Sequence, residues 1–392
     1  MPVTVLQLQR RDSASDLAGL LRELALAAGE SDRRGDLPQG VIETVQRSGL
    51  AALTVPARLG GGGADFATAL ATIRQVGGAC ASTGLILAMQ WIQHAVIARS
   101  PVWPVPLAER LGRDAVRNGA LVNALRVEPA LGTPSRGGLP ETTARRVPEG
   151  WSISGRKIYS TGAPHLAWML VWARDDAAEP RVGTFLVPGG SPGIRIEHTW
   201  DQLGLRASAS HDVVFEDVIV PADHAVDLRP AAEARPADLH QIAWNTLAIG
   251  ALYTGVAEAA LEWSLRFLRE RVPANLGSAL ATLPRVQEAV GRIEGRLAAN
   301  RRILESAARA TDLGDPPAAE ESGVLKVVLA ENAVSAVEEA VRLSGNHALA
   351  RANPLERHLR DVLCARIHAP QEDAAHLAAG RRALLAGTGA LR

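Results

Sequence analysis

Two changes of hydrophobic period divide this 392-residue chain into three stretches and limit the folds open to it. From Ser13 to about Asn118 apolar residues recur at spacings of three and four, as in "SDLAGLLRELALAAGESD", the mark of amphipathic helices punctuated by capping residues. Between about Gly119 and Ala222 the pattern shortens. The runs "WSISGRKIY", "AWMLVWAR", "GTFLVP", "GIRIEHTW" and "DVVFEDVIV" are rich in Trp, Val, Ile and Phe and are separated by Gly, Pro and Asp turns, so they read as strands. A Pro/Ala-rich joint, "LRPAAEARPADLH" from Leu228 to His240, leads back to helical periodicity. There Val256, Ala260, Leu261, Leu265 and Leu268 form one apolar stripe, and "GDPPAAEES" (Gly314 to Ser322) marks a helix-to-helix loop. The expectation is an α+β fold: an N-terminal helical domain over 1–118, a central β-barrel or sandwich over 119–227, and a C-terminal four-helix bundle over 228–392.

Charge and motif content remove several functions. Lys plus Arg and Asp plus Glu are 42 each, leaving no charge excess to attract nucleic acid or an anionic membrane. The longest apolar runs, such as "WMLVWA", fall short of the ~20 residues a membrane helix needs. Cys80 and Cys364 are too few for a disulfide framework, and the N-terminus lacks a leader pattern, so a cytoplasmic protein is expected. "LGGGG" at Leu59 to Gly63 lacks the Lys-Ser/Thr of a phosphate loop and reads as a connector. GxGxxG, HExxH, CxxC and GxSxG are absent, and the ten histidines are scattered, so no metal site is expected. Lys157 and Lys326 are the only lysines, a bias read here as one of coding-sequence composition.

Four stretches, in order, resemble the acyl-CoA dehydrogenase superfamily of flavoproteins. "LTVPARLGGGGADFATAL" (Leu53 to Leu70) is similar to its "VPEEYGG" segment, and "WSISGRKIYSTGAP" (Trp151 to Pro164) to its "G-x-K-x-x-I-T/S-N" strand. "DQLGLRASASHDVVFEDVIVP" (Asp201 to Pro221) resembles "LGMRAS…F-D-V-x-VP", and "LSGNHALARANPLERHLRD" (Leu343 to Asp361) resembles "GG-x-G…P-x-E-R-x-x-RD". The resemblance implies FAD, with FMN as the alternative, and a homo-oligomer, dimer or tetramer, in which a second subunit completes the site. It places Tyr159 against the isoalloxazine and Thr161 at flavin N5. Gly345 and Asn346 fall where two glycines approach the dinucleotide, Gln371 falls among the cofactor contacts, and Arg271 falls where an arginine reaches the pyrophosphate of a partner. Tyr159 and Thr161 also read simply as alternate positions on one sheet face.

The catalytic carboxylate is missing. Removing an α-proton from a thioester needs a carboxylate over the flavin. Counting from Arg360 and Asp361 puts the commoner base position at Ala369, and counting back from Arg271 puts the alternative at Asn245. Ala243 and Thr246 replace the acidic residue and arginine that fix a thioester tail in relatives. Glu372 and Asp373 lie nearby and read as surface carboxylates, with Glu372 the candidate for a displaced base. What stands at the vacated place is His368, in "RIHAPQED". With His94 in "MQWIQHAVI" and a hydroxyl at Ser160 or Thr161, this resembles the flavin monooxygenase branch typified by dibenzothiophene monooxygenase. That resemblance implies a C4a-(hydro)peroxyflavin formed from reduced flavin supplied by a partner reductase, with His368, His94 and Ser160 catalytic. An imidazole near its ordinary pKa of about 6.5 is then expected to move the substrate proton. The alternatives left open are an acyl-CoA dehydrogenase or oxidase with a displaced base, and a non-catalytic member binding an acyl or protein partner.

Overall fold

Five helices come first: α1 (Ser13–Arg34), α2 (Gln39–Arg47), α3 (Phe66–Ala79), α4 (Ala81–Arg99) and α5 (Val105–Asn118). The computed structural model describes residues 13–131, 138–233 and 237–385; residues 1–12, read above for a leader, and 234–236 of the Pro/Ala-rich joint lie outside them. The start of α3 shows why the chain turns helical where it does. Asp65 caps it by accepting from the Thr68 N–H at 2.8 Å, and Asp312, from far along the chain, accepts from the Phe66 and Ala67 N–H groups. Two carboxylates thus satisfy helix-end donors that have no partner within the helix.

Eight strands follow: β1 (Leu121–Leu125), β2 (Thr143–Val147), β3 (Gly150–Lys157), β4 (Leu166–Asp175), β5 (Arg181–Pro188), β6 (Ile194–Glu197), β7 (Asp212–Val220) and β8 (Ala225–Pro230). They pair in the order β6-β7-β3-β2-β4-β5-β8, with β1 parallel to β4. β2 meets β4 only at Arg174 and Asp175, so two four-stranded leaves are joined at that point. Ile153, Val213 and Phe215 of one leaf share an apolar cluster with Met169, Val171 and Phe185 of the other, which is sandwich packing.

The remaining helices are α6 (Leu239–Glu270), α7 (Pro284–Asp312), α8 (Ala319–Ser344), the short α9 (Asn346–Leu349), α10 (Leu355–Leu363) and α11 (Glu372–Leu385). The stripe read from sequence is the buried side of α6: Val256, Ala260, Leu261 and Leu268 are all buried. α6 also packs closely on α3, and Gly255 makes this possible. A Cβ built at Gly255 would lie 1.9 Å from the Arg74 carbonyl oxygen, so only a residue without one fits. Gly255→Ala should therefore lower unfolding stability by about 1–3 kcal/mol or more. Urea denaturation checks this, and an unchanged midpoint would show that the two helices do not meet there.

Candidate active site

The predicted residues come from several elements, beginning with the turn after β3. Lys157 ends that strand, and Tyr159 follows with φ 55, a left-handed conformation strained for a tyrosine. Its ring is 59% exposed and stands edge-on to Trp200 at 6.2 Å. Tyr159 and Thr161 thus do not share a sheet face: the ladder has ended, Tyr159 projects outward, and Thr161 is buried. The Thr161 amide donates to the Tyr159 carbonyl at 3.0 Å, so it is used within the turn. The Thr161 hydroxyl accepts from Ser210 at 3.1 Å and keeps its own hydrogen to donate. Ser160 is buried, and its Oγ has no hydrogen-bond partner.

His94 lies on α4, on the same side as Ile86 and Gln90. Gln90 joins α4 to β1: its amide donates to the Ala51 and Ala120 carbonyls and accepts from the Val122 N–H. From β1, Asn123 donates to the Thr161 carbonyl at 3.1 Å. His94 is buried, its Nε2 is unpartnered, and burial presses its pKa down to about 4.

His368 lies in the irregular turn between the 3-10 segment Cys364–Arg366 and α11. Its ring packs on Tyr253 of α6 with centroids 5.7 Å apart. Tyr253 is wholly buried and its hydroxyl has no partner, a group the sequence reading missed. Only two tyrosines occur in the chain, this one and Tyr159. Burial and then the nearby Lys326 charge lower the His368 pKa to about 4, not the ordinary 6.5 expected, so the ring is neutral at neutral pH. Among the described residues no hydrogen bond or ring contact joins His94, Ser160 and His368 to one another; they belong to α4, the turn after β3 and the turn before α11.

Neither base position carries a carboxylate, and the described carboxylates close to them in sequence, Glu372 and Asp373, are exposed. Ala369 and Asn245 are exposed. Glu372 faces outward, 3.8 Å from His376, and Asp373 is exposed beside it. Ala243 and Thr246 are buried in the main core, with Thr246 bonded back to the Ile242 carbonyl, so neither reaches the open side. Asp361 of α10 is the buried carboxylate nearby, but its Oδ1 accepts from the Leu205 N–H at 2.7 Å and so ties the sheet domain to the bundle.

At the far end of α6, Arg271 is exposed just past the helix, and Phe267 one turn earlier meets His347 with ring centroids at 4.9 Å. This brings Arg271 to the end of the bundle that carries Gly345 and Asn346. Gly345 has φ 56 with open space around its missing Cβ, and Asn346 is exposed. Gln371 immediately precedes α11, its carbonyl accepting from the Ala375 N–H.

The buried imidazoles set a pH dependence of stability. His94 and His358 are held near pKa 4 and 3, below the ordinary 6.5, by burial, with the nearby Arg357 charge adding to it at His358. Their contribution is complete above 6.5 and is lost as pH falls through the folded values, because the unfolded chain takes up protons that the folded one refuses. Asp361, pushed up by burial to about 6 from 3.8, acts the opposite way, but it is one group against two. Denaturation midpoints should thus fall between pH 6.5 and 4; midpoints rising on acidification would contradict these burials.

Comparison with known proteins agrees with the fold. Residues 7–100, 127–218 and 247–372 match the N-terminal, middle and C-terminal domains of acyl-CoA dehydrogenase. The chain is 31% identical over 370 residues to the putative acyl-CoA dehydrogenase YdbM of Bacillus subtilis (strain 168), covering 93% of this chain and 95% of that one. It is 31% identical over 378 residues to the L-evernosamine nitrososynthase of a Micromonospora species, covering 88% and 83%. The structure of KijD3 in complex with FMN and dTDP-3-amino-2,3,6-trideoxy-4-keto-3-methyl-D-glucose superposes with a TM-score of 0.82 at 28% identity, covering 98% of this chain and 97% of that one.

Proposed function

The chain belongs to the acyl-CoA dehydrogenase family, and within it we propose a flavin-dependent monooxygenase that oxidises the nitrogen of a small amine-bearing substrate, with reduced flavin delivered by a separate reductase. The observation that carries this reading is the set of groups at the candidate positions. It offers imidazoles, hydroxyls and a phenol, with Ala369 and Asn245 where a thioester chemistry needs a carboxylate. An amine as substrate is favoured by similarity to a nitrososynthase and to a protein seen with an amino-sugar nucleotide.

The residues fit a flavin, FAD or FMN. Tyr159 is held strained and outward beside Trp200, offering a flat apolar face. Ser160, His94 and Tyr253 each bury a polar atom without a partner, a penalty of roughly 1–3 kcal/mol per group that a bound molecule offsets. Tyr159, Ser160 and Thr161 would hold the ring, and Gly345, Asn346 and Gln371 would meet its tail, with Arg271 reaching that of a second subunit in a homo-oligomer. When bound and reduced, the flavin supplies the two electrons that activate dioxygen, so that one oxygen atom enters the product and the other leaves as water.

The chain's own groups handle protons and position. His368, neutral at working pH, presents a ring nitrogen that accepts the amine proton as the N–O bond forms. His94 and the Ser160 hydroxyl complete the hydrogen bonding from the opposite wall, and Tyr159 and Trp200 keep water off the ring. A second reading, acyl-CoA dehydrogenation, has the similarity to YdbM in its favour. The experiment that separates them gives the protein reduced FMN or FAD in oxygenated buffer with amino sugars and other primary amines, and gives the oxidised form short-chain acyl-CoA thioesters with a dye acceptor. Amine products one oxygen heavier are expected. Enoyl thioester formation with dye reduction, and no oxygenated amine, would overturn the proposal.

A further inference from the structure

We propose that Lys326 is a positioning residue for His368: together with Gly323 and Glu331 it makes α8 a three-point clamp that fixes the turn carrying the imidazole. This rests on the role given to His368 above. The turn over 367–371 lies between helices and has little regular hydrogen bonding of its own. Three places along α8 hold it instead, in antiparallel order. Glu331 takes Arg366 in a bidentate pair, Nε to Oε1 at 2.6 Å and Nη2 to Oε2 at 2.8 Å. Lys326 donates its Nζ to the His368 carbonyl at 2.6 Å. At Gly323 a Cβ would lie 3.4 Å from the side chains of both Pro370 and Ala375, an ordinary packing distance, so the turn rests against α8 there.

The middle contact is the unusual one. Lys326 is 1% exposed, and among the described residues its ammonium has the His368 carbonyl as its hydrogen-bond partner. Placing a strongly hydrated ammonium there is costly, and its pKa falls to about 8, with burial the cause. Nearby, Glu331 is already paired to Arg366. A group held at such expense against the backbone of one residue fixes that residue's place, and its positive charge adds to the burial that keeps the imidazole neutral. In a chain whose other basic residues are nearly all arginine, the slim lysine stem reaches a carbonyl that a planar guanidinium would overfill.

The test uses Lys326→Met, which keeps length and removes the donor and charge, and Lys326→Gln, which keeps a donor. In flavin-free protein labelled with ¹⁵N-histidine, the His368 ring signals should shift in Lys326→Met and titrate at higher pH than in the parent. Those of His94, whose depression has burial as its cause, should not move. Oxygenation turnover should fall about 10- to 100-fold with KM little changed, as expected for a misplaced catalytic group, and Lys326→Gln should recover part of it. If Lys326→Met does not fold, Lys326→Gln carries the same ring readout. His368 signals and titration unchanged in a folded variant would overturn the clamp. A shifted His368 in a protein that oxygenates no amine at all would uphold the clamp and overturn the reaction proposed above.

Discussion

His368→Ala should retain flavin and fold yet lose substrate oxygenation by about 10²–10⁴-fold, the range over which a positioned acid-base group acts. The ring lies in a turn and is only half-buried, with Tyr253 as its ring contact, so the loss should fall on chemistry rather than on stability. Electrons from reduced flavin should still reach oxygen in the variant, appearing as peroxide instead of product, because the groups around Tyr159 remain. His368→Gln should recover part of the rate, since an amide can keep a hydrogen bond but cannot take a proton. The pH profile is a further check. With its pKa near 4, His368 stays neutral across the working range, so no limb of the profile near pH 6.5 should depend on it. Parallel assays of product and peroxide decide the matter: coupling retained in His368→Ala would remove this residue from the mechanism, and acyl thioester oxidation retained beside it would favour the dehydrogenase reading.

How far the sequence reveals this site can be judged from particular residues. The change of hydrophobic period places helices, strands and helices in order because burial of alternate or third-and-fourth residues is what makes each element stable. The same ordering carries the four resembling stretches, and with them Tyr159, Ser160 and His368 as candidates. Local geometry was not readable. The left-handed Tyr159 follows from the way β3 is ended by an inward Lys157, and a strand pattern gives no sign of where its ladder stops. The depressed pKa of His368 depends on burial by residues distant in sequence and on a charge from α8, so its ordinary value was the natural expectation. Tyr253 sits inside an apolar helix stripe and reads as core, which it is; only its unpartnered hydroxyl sets it apart. The signal that was visible and given another meaning is the pair of lysines. Lys157 and Lys326 were put down to coding bias, yet both are buried and both hold a backbone carbonyl beside the candidate site.

Lys157→Met is the substitution expected to harm stability most, by about 3–5 kcal/mol, because it strands a buried charge. Lys157 Nζ donates to Glu128 Oε1 and to the Trp172 carbonyl, each at 2.6 Å, and both side chains of the pair are essentially inaccessible. Glu128 is also the acceptor for the Glu141 and Thr142 N–H groups and the Thr142 hydroxyl. These bonds and the lysine hold its carboxyl below the usual range although burial alone would raise it. Removing the ammonium leaves a carboxylate that three neutral donors solvate only in part. The pair joins β3 to β4, through the Trp172 carbonyl, and to the segment leading into β2, and it lies two residues before Tyr159. Loss of the anchor should therefore free the Tyr159 turn and weaken flavin binding as well as lower the urea midpoint. Adding Glu128→Gln to Lys157→Met should restore a substantial part of the stability, since a neutral amide no longer needs a counter-charge in that place. Denaturation of the parent, the two single variants and the double variant closes a cycle in which the coupling term isolates the ion pair. A coupling near zero would mean that water reaches Glu128, and the lysine would then be a solvated cation rather than the post on which the turn is built.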